Sequence, residues 1–263
     1  CVKQTTRRTE SEDRREFRLP GKRRLPRAPR PATHRIPAQS EHAGRKDLGV
    51  PLVVRTMNRP TVERSVARLL QAGLLVVLVT GLLGRNVSVA INAGLALLVT
   101  LLPAVLERDF SIHLDAGLTL FVTAAVFLHA VGMLGLYDAV FWWDHLTHTL
   151  SAMVVAGVSY TIVRAVDEHS DAVTVPERYL FAVILGFTLL VGLAWEGLEL
   201  WARVITDALG IDVIWVHYGP GDTALDLVFD AVGAVIVALF GSRRLQGTVD
   251  SVREWLDARI RLE

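Results

Sequence analysis

Six apolar stretches constrain this chain more than any other feature in it. They run from about Ser65 to Leu83, Val87 to Leu106, Leu114 to Leu134, His145 to Val166, Tyr179 to about Trp201, and Leu225 to Phe240. Each is close to the roughly 20 residues that a helix needs to cross the hydrocarbon core of a bilayer, the last being the shortest. Lipid offers no hydrogen bonds to a bare backbone, so such segments become helices or close into a barrel. The alternation that barrel strands need is absent, and Leu, Val, Ala and Gly dominate. Gly and Ala are frequent enough to let neighbouring backbones approach closely. The expected fold class is all-α, a polytopic membrane bundle of six transmembrane helices over residues 57–241.

Composition agrees: 51% of the 263 residues are hydrophobic, more than a soluble domain of this size needs. Charge divides the chain. Residues 1–56 carry 15 Lys and Arg against 6 Asp and Glu, whereas the remainder carries 13 against 21. This first part is rich in Arg and Pro and has no helical or strand period, so it reads as a disordered basic leader. The first methionine, Met57, stands just before the first apolar stretch and is expected to be the natural start. The alternative is a genuine basic tail that attracts anionic lipid or nucleic acid. The body carries no basic patch that would suit nucleic acid; its expected partners are membrane lipids and an unknown substrate. Cys1 is the only cysteine, which excludes a disulfide framework or a cysteine metal site within the chain.

Loop charges set an orientation. Arg59, Arg64, Arg68, Arg108, Arg164 and Arg178, and five arginines after the sixth stretch, lie on one side. The other side holds only Arg85 and Arg203. The positive-inside rule then places both termini in the cytoplasm. The outward side gathers Tyr137, Phe141, Trp142, Trp143, Trp195, Trp201, Trp215 and Tyr218, as an interfacial aromatic belt does. The connection from Ala202 to Gly221 is punctuated by glycine and proline and is expected to be a surface loop able to fold over the outer mouth. In the tail, residues 242–263, the run Thr248–Leu262 spaces Val249, Val252, Leu256 and Ile260 on one helical face, which predicts a cytoplasmic amphipathic helix over that run, lying on the membrane or on the protein.

In this topology the ionisable residues converge. Asp144, His145 and His148 open the fourth stretch, Glu196 and Glu199 lie in the outer half of the fifth, and Asp222, Asp226 and Asp230 descend into the sixth. Spacings of three and four put each set on one helical face. Acids at such depth are costly and face the bundle interior. So many carboxylates require either a cation among them or protons on several. Carboxylate and imidazole together suit zinc, manganese or iron, and oxygen alone suits magnesium or calcium. Asp144, His148, Glu196, Glu199, Asp222 and Asp226 are the candidate ligands of a divalent metal ion, with His145, Asp230 and His129 as a second tier. Glu196 is the candidate general base. Plainer roles stand beside these: Asp144 and Asp222 as helix caps, His145 as an interfacial residue, and His129 as a hydrogen-bonded core histidine.

Asp144 and His148 after a run of aromatics, Glu196 and Glu199, and Asp222 and Asp226 before a small-residue helix resemble the YjdF-like family of bacterial and archaeal integral membrane proteins. More distantly they resemble VanZ-like membrane proteins. The resemblance covers about residues 65–241 and implies a fold and a membrane location rather than a chemistry. His145 departs from it, standing where bacterial relatives more often carry Arg. The body, rich in Asp and free of Lys, also looks haloarchaeal. Three functions fit: a metal-dependent enzyme on a lipid-linked or envelope substrate, a cation or proton transporter, and a non-catalytic membrane scaffold.

Overall fold

Arg59 and Pro60 start the first helix, where proline is tolerated because the first N–H groups of a helix have no intrahelical partner. The computed structural model describes residues 58–170, 172, 174–210 and 219–260. Regular structure among them is helical throughout: α1 Arg59–Leu83, α2 Val87–Phe110, α3 Ala116–Val131, a π-turn Gly132–Leu136 running into the short α4 Tyr137–Ala139, α5 Trp143–His169, α6 Glu177–Leu209, α7 Pro220–Phe240 and α8 Ser242–Ile260. Six spans are long and apolar enough to cross a membrane: α1, α2, α3 with its extension to Ala139, α5, α6 and α7. The expectation of an all-α bundle with six membrane helices holds. Residues 1–57, including the leader and Met57, lie outside the described residues.

Two groups of helices make the bundle. The first three pack on one another, and α5, α6 and α7 pack on one another, with α3 meeting α5 between the groups. Small residues set the spacing. At Gly81 a Cβ would stand 2.8 Å from the Ala90 backbone nitrogen, so α1 and α2 touch through glycine. At Gly233 a Cβ would stand 2.6 Å from the Thr149 carbonyl and 2.9 Å from Ala152 Cβ, so α5 and α7 also touch through glycine. Such contacts replace the hydrophobic drive that is missing between helices in lipid. The outer faces carry exposed Leu69, Leu75, Leu98 and Leu190, as lipid requires.

Three elements depart from the sequence expectations. The third span does not run straight to its end. Gly135 has φ 108°, a region that suits glycine, and the helix passes through a π-turn there. The fifth stretch does not stop near Trp201. No breaker occurs before Gly210, so α6 stays helical through Leu209 and ends on Gly210 at φ 66°, the left-handed glycine cap. The expected outer loop is shortened by this helical turn, and residues 211–218, Trp215 among them, lie outside the described residues. Third, the tail helix begins at Ser242 rather than near Thr248. It packs on the protein, with Leu245 and Val249 buried beside α5 and α7. The His169 ring pairs with Asp257, and Phe110 meets Trp255 at 6.0 Å between ring centres. Thus α8 closes the bundle end where α2 and α5 finish.

Candidate metal centre

Helix starts and ends determine who meets whom. Trp142 occupies the N-cap position of α5 without a side-chain capping bond, which puts Asp144 in the first turn rather than at the cap. Gly219 and Pro220 open α7 in the same way, and Asp222 lies in its first turn. Neither aspartate is therefore the cap that the plainer sequence reading made it. The side chains that follow, His148 on α5 and Asp226 and Asp230 on α7, lie one and two turns deeper. The close α5–α7 contact through Gly233 brings them face to face with Glu196 of α6.

The His148 ring is the centre of the group. Its Nδ1 lies 3.3 Å from Asp230 Oδ1. Its Nε2 lies 3.8 Å from Asp144 Oδ1, 4.0 Å from Glu196 Oε1 and 4.0 Å from Asp226 Oδ2. His145 Nδ1 faces Asp226 Oδ1 at 3.8 Å, and its ring stacks on Phe229 with centres 4.4 Å apart. Thr223 donates to Glu196 Oε2 at 2.7 Å, and Trp195 Nε1 donates to Glu199 Oε1 at 2.8 Å. Glu196, Glu199, Asp226 and Asp230 are all buried. Carboxylates of three helices thus share one buried volume, where their repulsion is stronger than in water.

The donor set fits a metal ion. One atom each from His148, Glu196 and Asp226, or from Asp144, His145 and Asp226, lie within 4.8 Å of one another. An ion with bonds of about 2.1 Å separates its ligand atoms by roughly 3 to 4 Å, so a small inward shift closes the first set around it. Two atoms point to what is needed there. Asp226 Oδ1 and His145 Nδ1 are buried and have no hydrogen-bond partner, and Asp226 is only 2% exposed. Buried polar atoms without partners are uncommon and costly. With an N–H on Nδ1 directed at Asp230, Nε2 is the nitrogen that faces the other acids, the arrangement that outer partners give to metal-bound histidines.

Other sequence candidates stand elsewhere. His129 lies outside both sets: its Nε2 is 3.2 Å from Asn92 Oδ1 and its Nδ1 is 2.8 Å from the Tyr137 hydroxyl, the geometry of a hydrogen-bonded core histidine. Glu199 turns to Trp195, and Asp222 lies one turn above Asp226; neither belongs to the two sets. Tyr137, Trp143 and Trp195 do not act only as a belt, because each carries a polar contact into the bundle. Gly192 was silent in the sequence. A Cβ there would collide with the Asp230 carboxylate, which keeps its place only beside a glycine. Its position four residues before Glu196 was the only available signal.

Residues 66–247 match the family model described as Predicted membrane protein (DUF2238). The chain belongs to the DUF2238 family. The matched range includes the six spans from Val66 onward and the start of α8, so the DUF2238 region contains every residue of the candidate centre. An uncharacterised protein of Thermotoga maritima is 32% identical over 127 residues, which is 48% of this chain and 62% of that protein. This chain therefore spans less than two thirds of that relative's length. No solved structure matches it. Family and spans together make this DUF2238 member a multi-pass membrane protein.

Proposed function

We propose that this DUF2238 protein binds a divalent metal ion between α5, α6 and α7 and acts with it on a lipid or cell-envelope substrate at the outer leaflet. The observation that carries this reading is the His148 ring set among carboxylates from three helices, with Asp226 Oδ1 buried beside it and without a hydrogen bond. His148, Glu196 and Asp226 would hold the ion, with Asp144 and His145 at its edge. When bound, a divalent ion supplies a Lewis acid for an ester or phosphoryl oxygen and acidifies water. Asp230 fixes the His148 tautomer. Glu196, which accepts from Thr223 through Oε2, would also be the general base for an attacking water. The YjdF-like kinship and the orientation with both termini cytoplasmic belong to the same proposal.

A transporter fits less well. Below Asp230 the buried face of α7 continues with Gly233, Ala234 and Val237, which offer a cation no ligands. The test is elemental analysis of protein purified without chelator. Wild type is expected to carry close to one metal ion per chain, and His148→Ala and Asp226→Ala to lose it while staying folded. Metal-free wild type would refute the proposal, and a loss of stability in both variants would then make the acids a scaffold feature.

A further inference from the structure

A cavity of about 450 Å³ lies between α2, α3, α5 and α6 and opens from the candidate centre. At one end its wall contains Asp144, His148, Glu199 and Asp230; away from them the wall is mostly apolar, with Val126, Val155 and Val191 beside Thr188. On α5 the wall runs from Asp144 to Val155 and on α6 from Thr188 to Glu199. Eleven steps of helix make each wall about 16 Å long. That is about half of the roughly 30 Å hydrocarbon thickness, the depth of one leaflet. The size is within the usual range for ligand cavities, about 300–1,000 Å³.

The side wall on α2 tells what surrounds the opening. Leu95, Leu98 and Val99 line the cavity and are also exposed, by 46, 64 and 38%. They belong to the outer face of a membrane span, so the cavity is continuous with the lipid-facing surface of the bundle. Water in an apolar space of this shape is unfavourable, while hydrocarbon stands at the door. Val99 also lines a second apolar cavity of about 660 Å³ on the side toward α8.

We infer that the cavity holds one hydrocarbon chain of a membrane lipid whose headgroup reaches the His148 cluster, which makes the substrate class a membrane lipid. The inference rests on the metal-site reading for what happens at the headgroup, and on the cavity alone for the chain. The probe is phosphatidylglycerol with a diazirine in the outer half of one acyl chain, a minor component of phosphatidylcholine nanodiscs that hold the full chain. After illumination, peptide mass spectrometry locates the adducts. Adducts are expected on the cavity walls of α2, α5 and α6. In Val155→Phe/Val191→Phe, which fills the apolar end, they should fall about tenfold with the metal content unchanged. If the double variant does not fold, Val191→Phe alone serves with the same readout. Equal labelling in the filled variant, or adducts spread evenly over Leu69 and Leu75 on the lipid face of α1, would overturn the inference. Cavity labelling on a wild type that holds no metal would uphold the chain site and remove the metal-site reading instead.

Discussion

Single residues in this protein do separable jobs, which lets them be tested one by one. Asp230 touches the other nitrogen of His148 rather than the group of facing acids, so it positions the ring. Asp230→Asn is expected to keep the fold and weaken metal affinity by about 10- to 100-fold, the usual cost of losing such a partner, as read by chelator competition. An unchanged affinity would mean that the His148 orientation is fixed by packing alone. Gly192→Ala should have a larger effect, because the new methyl group displaces the Asp230 carboxylate from its place beside α6. Metal content and thermal stability are expected to drop together in that variant. Metal retention should also fall as pH is lowered, because imidazole and carboxylates bind metal only in their deprotonated forms. Occupancy that stays flat down to pH near 4, below the free histidine range and close to that of free carboxylates, would contradict the ligand set.

At the scale of elements, two contacts decide the architecture. The α5–α7 seam is held by Gly233 against Thr149 and Ala152. Gly233→Leu forces the two helices apart and is expected to lower stability by about 1–3 kcal/mol or more, measured as a fall in the unfolding midpoint in detergent. The other contact is α8 on the bundle end, where Val249 is fully buried. Val249→Asp places an uncompensated charge there and should release the tail, seen as new protease cleavage within residues 242–260. Much of this scale was readable beforehand. Apolar stretches of membrane-spanning length gave the six spans, and spacings of three and four gave the faces on which the acids lie. The partners of those faces were not readable, since helix pairing in lipid depends on where small residues of two helices coincide. The π-turn at Gly135 was missed because a glycine in an apolar run carries no mark of its backbone angle. The length of α6 was missed because residues 202–209 are polar enough to look like a loop while containing no breaker.

The whole molecule places the cluster at one end and the arginine-rich surface at the other. At Gly117, near the start of α3, a Cβ would stand 3.5 Å from both Arg244 Nη1 and Glu63 Oε1, so the starts of α1, α3 and α8 share an end opposite to the acids. If the arginine-rich end is cytoplasmic, as proposed, the His148 cluster opens to the outside. In a Cys1→Ser background, Phe141→Cys is expected to react with a membrane-impermeant maleimide on intact cells, and Glu254→Cys only after permeabilisation. Both positions are exposed in the fold, so a reversed pattern would turn the molecule over. The convergence of acids from three helices was deducible from loop charges and spacing. The division of labour within it was not. Which nitrogen of His148 faces which carboxylate, and that His129 is taken by Asn92 and Tyr137, depend on side-chain directions that no sequence pattern carries.

An anomalous difference map from crystals grown with manganese or zinc addresses the shared ion most directly. One peak is expected among His148 Nε2, Glu196 and Asp226, at bonding distance from all three and absent in His148→Ala. A map with no peak there, or with the ion held elsewhere on the protein while these side chains remain as they are, would contradict a metal centre between α5, α6 and α7.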